Sequence, residues 1–248
     1  MSPSKVSLIR RLLSFLRTWK VDFVTCGIRW LSPVPFVVSD APVIVFSPHQ
    51  DDETLGCGGL IALKRERGIP VKVVFLTNGD AYLGGRDAES ARVREAEALQ
   101  ALEFIGVAAS DVSFWNYPDG QLRQLPVAQR AMMQQEVIRL LAIDDIAEVY
   151  VPHHADRHAD HEATYDIVCR AIAQTGRPHK VCQYPIWIFW KAPLFWRWPL
   201  RQLQGWRRLN IKTVMHKKRA AIAAHDSQMA ALPPGFLKRF LRPEELFY

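Results

Sequence analysis

Short apolar runs alternate with longer amphipathic segments from residue 42 onward. The apolar runs predict buried strands at 43–47, 71–77, 112–116, 148–153 and 181–188. Segments with helical spacing predict helices at 55–68, 87–106, 126–143, 160–176 and 214–231. Strands that alternate with helices of this length form βαβ units, whose parallel sheet is covered by helices on both faces. The pattern predicts an α/β fold, a three-layer sandwich around a mostly parallel sheet.

Two polar clusters stand directly after the first and fourth predicted strands. Residues 47–53 read Ser-Pro-His-Gln-Asp-Asp-Glu, and residues 153–161 read His-His-Ala-Asp-Arg-His-Ala-Asp-His. Ligand sites of open parallel sheets lie beyond the carboxyl ends of the strands. We therefore expect the two clusters to belong to one site.

The residue types of these clusters suit a catalytic metal. Catalytic zinc takes three His or carboxylate ligands and leaves one position for water. His49, Asp52 and one histidine of the second cluster meet this requirement, Asp51 could act as the base, and another histidine could stabilise or protonate the product of attack. Ferrous iron (Fe2+) or manganese (Mn2+) would suit the same ligands.

A simpler interpretation is that the acidic residues 51–53 cap the following helix, because carboxylates are favoured at helix N-termini. One carboxylate would be enough for that purpose. Three of them follow a histidine here, and a second histidine cluster stands at a matching strand end. We therefore favour the metal interpretation.

Dinucleotide binding is a further alternative, raised by Gly56, Gly58 and Gly59 at a strand-to-helix turn. The third glycine of that fingerprint is replaced by Ile61, and no acidic residue ends the second strand. The match therefore fails. We expect these glycines to let the loop that bears the first cluster pack tightly against the helix.

Composition indicates the domain size of the chain, the charge of its partners and its redox compartment. At 248 residues, 49% of them hydrophobic, it suits one large domain or a domain with an appendage. Lys and Arg number 32 against 25 Asp and Glu, so the surface should attract anions, whether phosphorylated sugars, acidic glycolipids, anionic membrane or nucleic acid. The four cysteines form no Cys-x-x-Cys pair, which favours a reducing, cytoplasmic setting over a disulfide framework.

Two further segments are unusual in composition. Residues 4–32 combine basic residues with apolar ones at helical spacing, and their recurring charges fit neither a membrane span nor a secretory signal. This segment predicts either a helix packed on the domain or a basic amphipathic helix peripheral to an anionic membrane, at its inner face. Residues 184–206 are rich in tryptophan and predict an irregular lobe, with packing favoured over a membrane belt or a sugar-stacking wall.

The two clusters resemble the motifs of the PIG-L/LmbE family of zinc-dependent de-N-acetylases. The family's His-Pro-Asp-Asp-Glu is seen here at 49–53 with Gln50 replacing proline, and its His-Pro-Asp-His at 158–161 with Ala159 replacing proline. Other similar features are Thr-Asn-Gly at 77–79, Pro-Asp-Gly at 118–120, Arg94 with Glu97, and Lys218 followed by His225, Ser227 and Gln228. The resemblance covers about residues 42–228 and implies a Rossmann-like fold.

The resemblance also implies roles for individual residues. His49, Asp52 and His161 would bind zinc (Zn2+), Asp51 would be the general base, and His158 would help to stabilise the oxyanion.

Other residues of the motifs are implied to have supporting roles. Asp160 would orient a histidine. Arg94 and Asp119 are candidates for binding sugar hydroxyls or a phosphate, with a surface ion pair and a turn residue as their alternatives. His225 and Gln228 could close the pocket, and Glu53 is expected at the helix start or beside the ligands.

A rival ligand set, His153, His154 and Asp156, lies outside the family motif and ranks below His158 and His161.

The resemblance implies hydrolysis of the acetyl group from an N-acetylglucosamine-type sugar, on a lipid, cell-envelope or small-molecule carrier. A metal-dependent phosphoesterase and a non-catalytic glycan-binding module are the alternatives, and no nucleic-acid partner is expected. The predicted domains are an N-terminal extension at 1–41, the deacetylase-like domain at 42–231 and a C-terminal tail at 232–248, expected to be a loop with a short basic patch. The sequence does not indicate an oligomeric state.

Overall fold

A computed structural model describes residues 3–31, 34–81, 88–143, 146–193, 203–229 and 231–248. Its strands are β1 (Val43–Ser47), β2 (Val71–Thr77), β3 (Val112–Tyr117), β4 (Glu148–Pro152), β5 (Lys180–Tyr184), β6 (Arg207–Asn210) and β7 (Glu244–Phe247). Its helices are α1 (Pro3–Leu31), α2 (Asp52–Glu66), α3 (Ala88–Phe104), α4 (Val127–Ile143), α5 (Ala159–Thr175), α6 (Ile188–Lys191), α7 (Met215–Ala224) and α8 (Asp226–Met229).

The main sheet is parallel and has the strand order β3-β2-β1-β4-β5 within the described residues. The chain builds outward from β1 to β3, then returns to place β4 on the other side of β1. Such a reversal opens a crevice between the carboxyl ends of the two central strands. The two polar clusters follow β1 and β4, so this topology brings them to the same crevice.

Helices cover both faces of the sheet, which confirms the predicted α/β sandwich. Alternate residues of β1 enter different cores: Val43 and Val45 pack in one, Ile44 and Phe46 in the other. The first core also receives apolar residues of α2, α3 and α7, and the second receives those of α4 and α5. Because both faces are covered, the central strands are continuously apolar.

Glycines allow α2 to approach its neighbours closely. A Cβ atom at Gly56 would stand 2.3 Å from the ring of Tyr184, and one at Gly59 would stand 2.6 Å from Ile211. The glycines lie within α2, as the predicted helix at 55–68 implies, and the close approaches they allow are to Tyr184 and Ile211. Their effect is to seat the helix that begins at Asp52 against β5.

Two predicted elements end earlier than expected. The strand predicted at 181–188 stops at Tyr184, because Pro185 has no N–H to continue the ladder and the next residues turn into α6. The helix predicted at 214–231 is broken after Ala224, where the His225 ring turns inward to contact Thr54.

The C-terminal segment is more ordered than the predicted loop. Its strand β7 pairs antiparallel with β6. Glu245 of β7 accepts hydrogen bonds from the N–H groups of Gly59 and Leu60 and from the Lys218 ammonium, at 2.6–2.8 Å. Hydrogen bonds therefore fix the tail to α2 and α7. The domain boundaries proposed from sequence remain predictions.

Helix α1 packs on the rest of the domain through Val21, Val24 and Ile28, which are buried in the first core. It contacts α6 and the 3-10 turn Phe236–Arg239. None of the helices within the described ranges is long and apolar enough to cross a bilayer. In the predicted Trp-rich lobe, Trp190 and Trp206 are buried and Trp187 is half-buried, while Trp196 and Trp198 lie outside the described residues.

Candidate active site

Three possible metal ligands converge between the ends of β1 and β4. Nδ1 of His49 lies 3.0 Å from Oδ2 of Asp52 and 3.3 Å from Nε2 of His161, and that Nε2 lies 3.1 Å from the same Asp52 oxygen. Zinc holds such ligands about 2.0–2.1 Å away, which separates neighbouring ligand atoms of a tetrahedron by about 3.3 Å. The three atoms therefore form a triangle of the size that one face of a tetrahedral site requires.

The other nitrogen of His49 faces two more carboxylates. Its Nε2 lies 3.1 Å from Oδ1 of Asp119 and 3.3 Å from Oδ2 of Asp160. Asp160 also accepts the N–H groups of Gly120 and Leu122 at 2.7 and 3.0 Å, which fixes it to the loop after β3. Asp160 thus lies where a residue that orients His49 would stand, and Asp119 contacts the same ring.

Acidic neighbours make this point of the structure strongly attractive to positive charge. Burial alone would lower the pKa values of both imidazoles, but nearby carboxylates raise the pKa of His161 to about 9 and that of His49 well above its ordinary value. Burial would likewise raise the pKa of Asp52, yet the two histidines hold it far below the ordinary range. A divalent cation could replace these protons, since metal binding and protonation compete for the same atoms.

Asp156 holds His161 in place, a role that the sequence analysis did not assign. Its Oδ2 accepts a hydrogen bond from Nδ1 of His161 at 2.7 Å. The same carboxylate accepts the N–H groups of Ile186, Trp187 and Ile188 at 2.9–3.0 Å. A carboxylate on the far nitrogen of a metal-binding histidine fixes its tautomer and orientation, so His161 presents Nε2 to Asp52.

The rest of the rival ligand set lies away from this point. The His153 ring stacks on Trp206 at 5.0 Å, and the exposed His154 shares a 2.8 Å hydrogen bond with Gln183. The lower rank given to these two histidines agrees with the geometry, whereas Asp156 belongs beside the site.

Asp51 lines the pocket next to Asp52 but does not join its contacts with the histidines. Its backbone has φ 156° and ψ −26°, a conformation that non-glycine residues rarely adopt and that is often found at functional sites. Burial and the negative charge of Asp52 raise the pKa of Asp51 to about 7, against the opposing effect of Arg94. A carboxyl group with a pKa in this range can accept and return a proton near neutral pH.

Glu53 lies behind Asp51 and supports the loop. It accepts the N–H of Asp51 at 3.1 Å and the Thr54 hydroxyl at 2.6 Å, while His225 lies 3.6 Å away. Glu53 therefore serves both predicted purposes, the start of α2 and the support of its neighbours.

His158 stands at the N-terminus of α5 and lines the same pocket. Its ring centroid lies 4.9 Å from that of His49 and 4.7 Å from that of His161, and its buried Nδ1 has no hydrogen-bond partner among the described residues. Burial, followed by the neighbouring imidazoles, lowers the pKa of His158 to about 2, so this ring is neutral. A ligand atom of His158 also lies within 4.8 Å of one from His49 and one from His161, which makes these three histidines a second possible ligand group.

Arg94 also lines the pocket. It is buried on α3, donates to Oε1 of Gln228 at 3.0 Å, and lies 3.9 Å from both Asp51 and Asp119. One turn along α3, Glu97 accepts hydrogen bonds from Ser227 and Gln228. The pairs noted in sequence, 94 with 97 and 227 with 228, are therefore partners in one network that shapes the pocket.

The pocket joins this polar side to an apolar wall. The polar residues are His49, Asp51, Asp52, Arg94, Asp119, His158 and Gln228, and the wall consists of Leu55, Ile186, Trp187, Ala231, Leu232 and Phe236. Trp187 and Phe236 stack with their ring centroids 4.3 Å apart. A ligand could thus place a polar end near the histidines and an apolar or ring-shaped part against the wall.

The sequence places the chain in a known family. Residues 44–172, just over half of the chain, match the family described as PIG-L, GlcNAc-PI de-N-acetylase. The chain belongs to the PIG-L family, which confirms the resemblance drawn from the two motifs.

Particular relatives agree with this placement. The chain is 29% identical over 137 residues to the uncharacterized deacetylase YaiS of Escherichia coli K12, covering 53% of this chain and 70% of that protein. It is 29% identical over 150 residues to the probable N-acetyl-alpha-D-glucosaminyl L-malate deacetylase 2 of Bacillus subtilis, covering 56% of this chain and 66% of that one. The chain thus spans about two thirds of the length of these curated relatives.

A solved structure shares the fold. The N,N'-diacetylchitobiose deacetylase of Pyrococcus horikoshii superposes with a TM-score of 0.59 at 21% identity, over 86% of each chain.

Proposed function

We propose that the chain is a metal-dependent N-deacetylase that hydrolyses the acetamide of an N-acetylglucosamine-type sugar. The observation that carries this proposal is the triangle of Nδ1 of His49, Oδ2 of Asp52 and Nε2 of His161, with edges of 3.0–3.3 Å, beside a pocket-lining Asp51. Membership of the PIG-L family and the names of relatives that act on N-acetylated sugars support the choice of substrate.

The ligand set fits zinc best among the candidate metals. Two imidazoles and one carboxylate are a common catalytic zinc set, and manganese or ferrous iron is compatible with the same atoms. A metal held by His49, Asp52 and His161 would supply a Lewis acid to polarise the acetamide carbonyl and would make a water molecule easier to deprotonate.

The chain's own residues would then move the protons. Asp51 takes a proton from the attacking water as its oxygen bonds to the acetamide carbon, and later delivers that proton to the sugar nitrogen as the C–N bond breaks. The products are acetate and a free amino sugar. A single carboxyl group can serve both steps because it gains a proton in the first and gives it up in the second.

The remaining pocket residues have positions suited to recognition. His158, neutral and with a buried nitrogen facing no partner among the described residues, borders the space where the carbonyl oxygen would become negatively charged. Arg94 and Asp119 could bind sugar hydroxyls or a phosphate on the carrier, and the wall of Trp187 and Phe236 could stack on the sugar ring or on an apolar carrier.

The test is acetate release from a panel of free, nucleotide-linked and lipid-linked N-acetyl sugars, with zinc added to the purified protein. We expect acetate from at least one substrate, and Asp51→Asn should keep bound zinc while losing release. Asp166→Asn, an exposed aspartate on α5, is the matched control and should stay active. Release of phosphate from phosphate esters without acetate from any sugar would refute the proposal in favour of a phosphoesterase.

A further inference from the structure

Helix α1 is apolar on two opposite faces. The inner face, Val21, Val24 and Ile28, is buried against the domain. The outer face presents a stripe of large apolar side chains at helical spacing, namely Leu12, Phe15, Leu16, Trp19, Phe23 and Trp30. A helix that only covered the core would carry polar residues on its outer side, so the outer stripe calls for a separate explanation.

This outer stripe is continuous and well exposed. Phe15, Trp19, Phe23 and Trp30 expose 67%, 64%, 69% and 86% of their surface, and the rings of Trp19 and Phe23 stack at 5.9 Å. From residue 12 to residue 30 the stripe extends over about 27 Å of helix. A contiguous apolar surface of this size marks an interaction site on a protein surface.

The helix is fixed to the domain and does not behave as a loose tail. The Lys20 ammonium donates to the carbonyls of Trp190 and Ala192 at 3.3 and 2.5 Å. Arg29 pairs with Glu244 at 2.7 Å, and Asp22 pairs with Lys238 at 2.9 Å and with Arg242. These contacts fix α1 to the domain, so the outer stripe has a fixed position on the protein surface.

The charges around the stripe select its partner. Arg11 is exposed beside the stripe, whereas Lys20 and Arg29 already bind the rest of the domain. The single acid of α1, Asp22, is also paired within the chain. In a dimer of two α1 helices, Arg11 would therefore find no unpaired acid on the second helix. An anionic lipid surface supplies that negative charge, and Trp and Phe are suited to the interface between headgroups and acyl chains.

From these observations we infer that the outer face of α1 is a membrane-docking surface for anionic lipid. The helix would lie in the plane of the interface, with its aromatic side chains among the acyl chains and Arg11 at the phosphates. Thr18 and Val21 of the same helix border a small cavity together with Ile186 and Phe236 of the pocket wall. Docking would therefore bring the wall of the pocket close to the lipid surface, whatever reaction the pocket performs.

The test is co-sedimentation of the full chain with vesicles of phosphatidylcholine alone and with phosphatidylglycerol added. We expect binding to the anionic vesicles that weakens with salt. Replacing both aromatic residues, Trp19→Gln with Phe23→Gln, should lower the partition coefficient roughly tenfold or more. Arg11→Gln should lower it by a smaller factor, and on anionic vesicles only.

The matched control is Val127→Gln with Met132→Gln, two apolar residues of α4 that are 75% and 67% exposed. This pair should bind vesicles like the unchanged protein. A second readout is quenching of tryptophan fluorescence by brominated lipid, which Trp19→Phe with Trp30→Phe should reduce while binding persists.

Three results would overturn the inference. The first is that the unchanged protein does not bind anionic vesicles, and the second is that the α1 and α4 double variants lose vesicle binding equally. The third is that the protein forms a dimer without lipid, and that replacing Trp19 and Phe23 turns this dimer into a monomer while vesicle binding stays the same. The last result would assign the stripe to a second copy of the chain.

Discussion

Buried charges meet at both edges of the central sheet, but they are arranged differently. At the amino edge, the Lys64 ammonium lies 2.8 Å from Glu148, whose other oxygen lies 2.7 Å from Lys180. Lys64 also donates to the carbonyls of Ser39 and Ala41 at 3.1 and 2.8 Å. Lys64 and Glu148 are the two buried charges of this group, so the chain itself supplies a partner for each.

At the carboxyl edge, the acids exceed the bases. Asp52, Asp119, Asp156 and Asp160 contact His49 or His161, and Asp51 lies in the same pocket, 3.9 Å from Arg94. Where the chain supplies a partner for each buried charge the group belongs to the fold, whereas an excess of buried acid marks a place for a cation from outside.

The largest effect should follow from removing the shared acid of the candidate metal site. We expect Asp52→Ala to abolish zinc binding and to lower deacetylation about a thousandfold or more, about 4 kcal/mol of activation free energy. Zinc content by elemental analysis and acetate release measure the two effects. A variant that kept stoichiometric zinc would remove Asp52 from the ligand set.

Removing one partner of the Lys64–Glu148 ion pair should lower the stability of the protein and leave its activity unchanged. Lys64→Met leaves the buried Glu148 with Lys180 and the Tyr150 hydroxyl as partners, and should lower the free energy of unfolding by about 3 kcal/mol. Chemical denaturation measures this loss, and activity at room temperature should be unchanged because the pair lies at the far edge of the sheet. Loss of zinc in Lys64→Met would show that the two edges are not independent.

A smaller effect on zinc binding is expected at Asp156, whose carboxylate acts through His161. Asp156→Asn keeps the size of the side chain but replaces one accepting oxygen with a donor, so the hold on His161 and on the N–H groups of 186–188 weakens. We expect zinc affinity to fall about 10–100-fold. Titration with a competing chelator measures it, with Asp166→Asn as the control. Unchanged affinity in Asp156→Asn would contradict the positioning role.

The smallest effect concerns pH. Burial opposes the charge of Glu148, but hydrogen bonds from Lys180 and Lys64 outweigh it and lower the pKa of Glu148 below its ordinary value of 4.5. A lowered pKa in the folded state gives stability that is present above pH 4.5 and is lost as the pH falls through the folded-state pKa. The stability difference between the unchanged protein and Glu148→Gln should therefore shrink from pH 7 towards pH 3. A constant difference in denaturation experiments across this range would contradict the ion pair.

The sequence was most informative where local signals agree. The bounds of β1 and β2 match the prediction residue for residue, since each is a short apolar run between turn residues. The meeting of residues 49–53 with 158–161 also followed from sequence, because the carboxyl ends of parallel strands share one edge.

Features that depend on distant parts of the chain could not be predicted in this way. The role of Asp156 arises because the chain after β5 returns its N–H groups to that carboxylate, and the tail strand exists because Glu245 meets α2 and Lys218. Periodicity did predict a basic amphipathic helix over residues 4–32, where α1 lies. It could not separate the face that packs on the core from the face that does not.

One consequence concerns how this protein could acquire new substrates during evolution. Asp156 is bound at once to His161 and to the backbone that carries Trp187 of the pocket wall. Substitutions of the Trp187 side chain would preserve these backbone contacts and alter selectivity alone. Insertions or deletions between β5 and α6 would disturb the imidazole as well. Diversification should therefore proceed by exchanging side chains in this segment while its length stays constant.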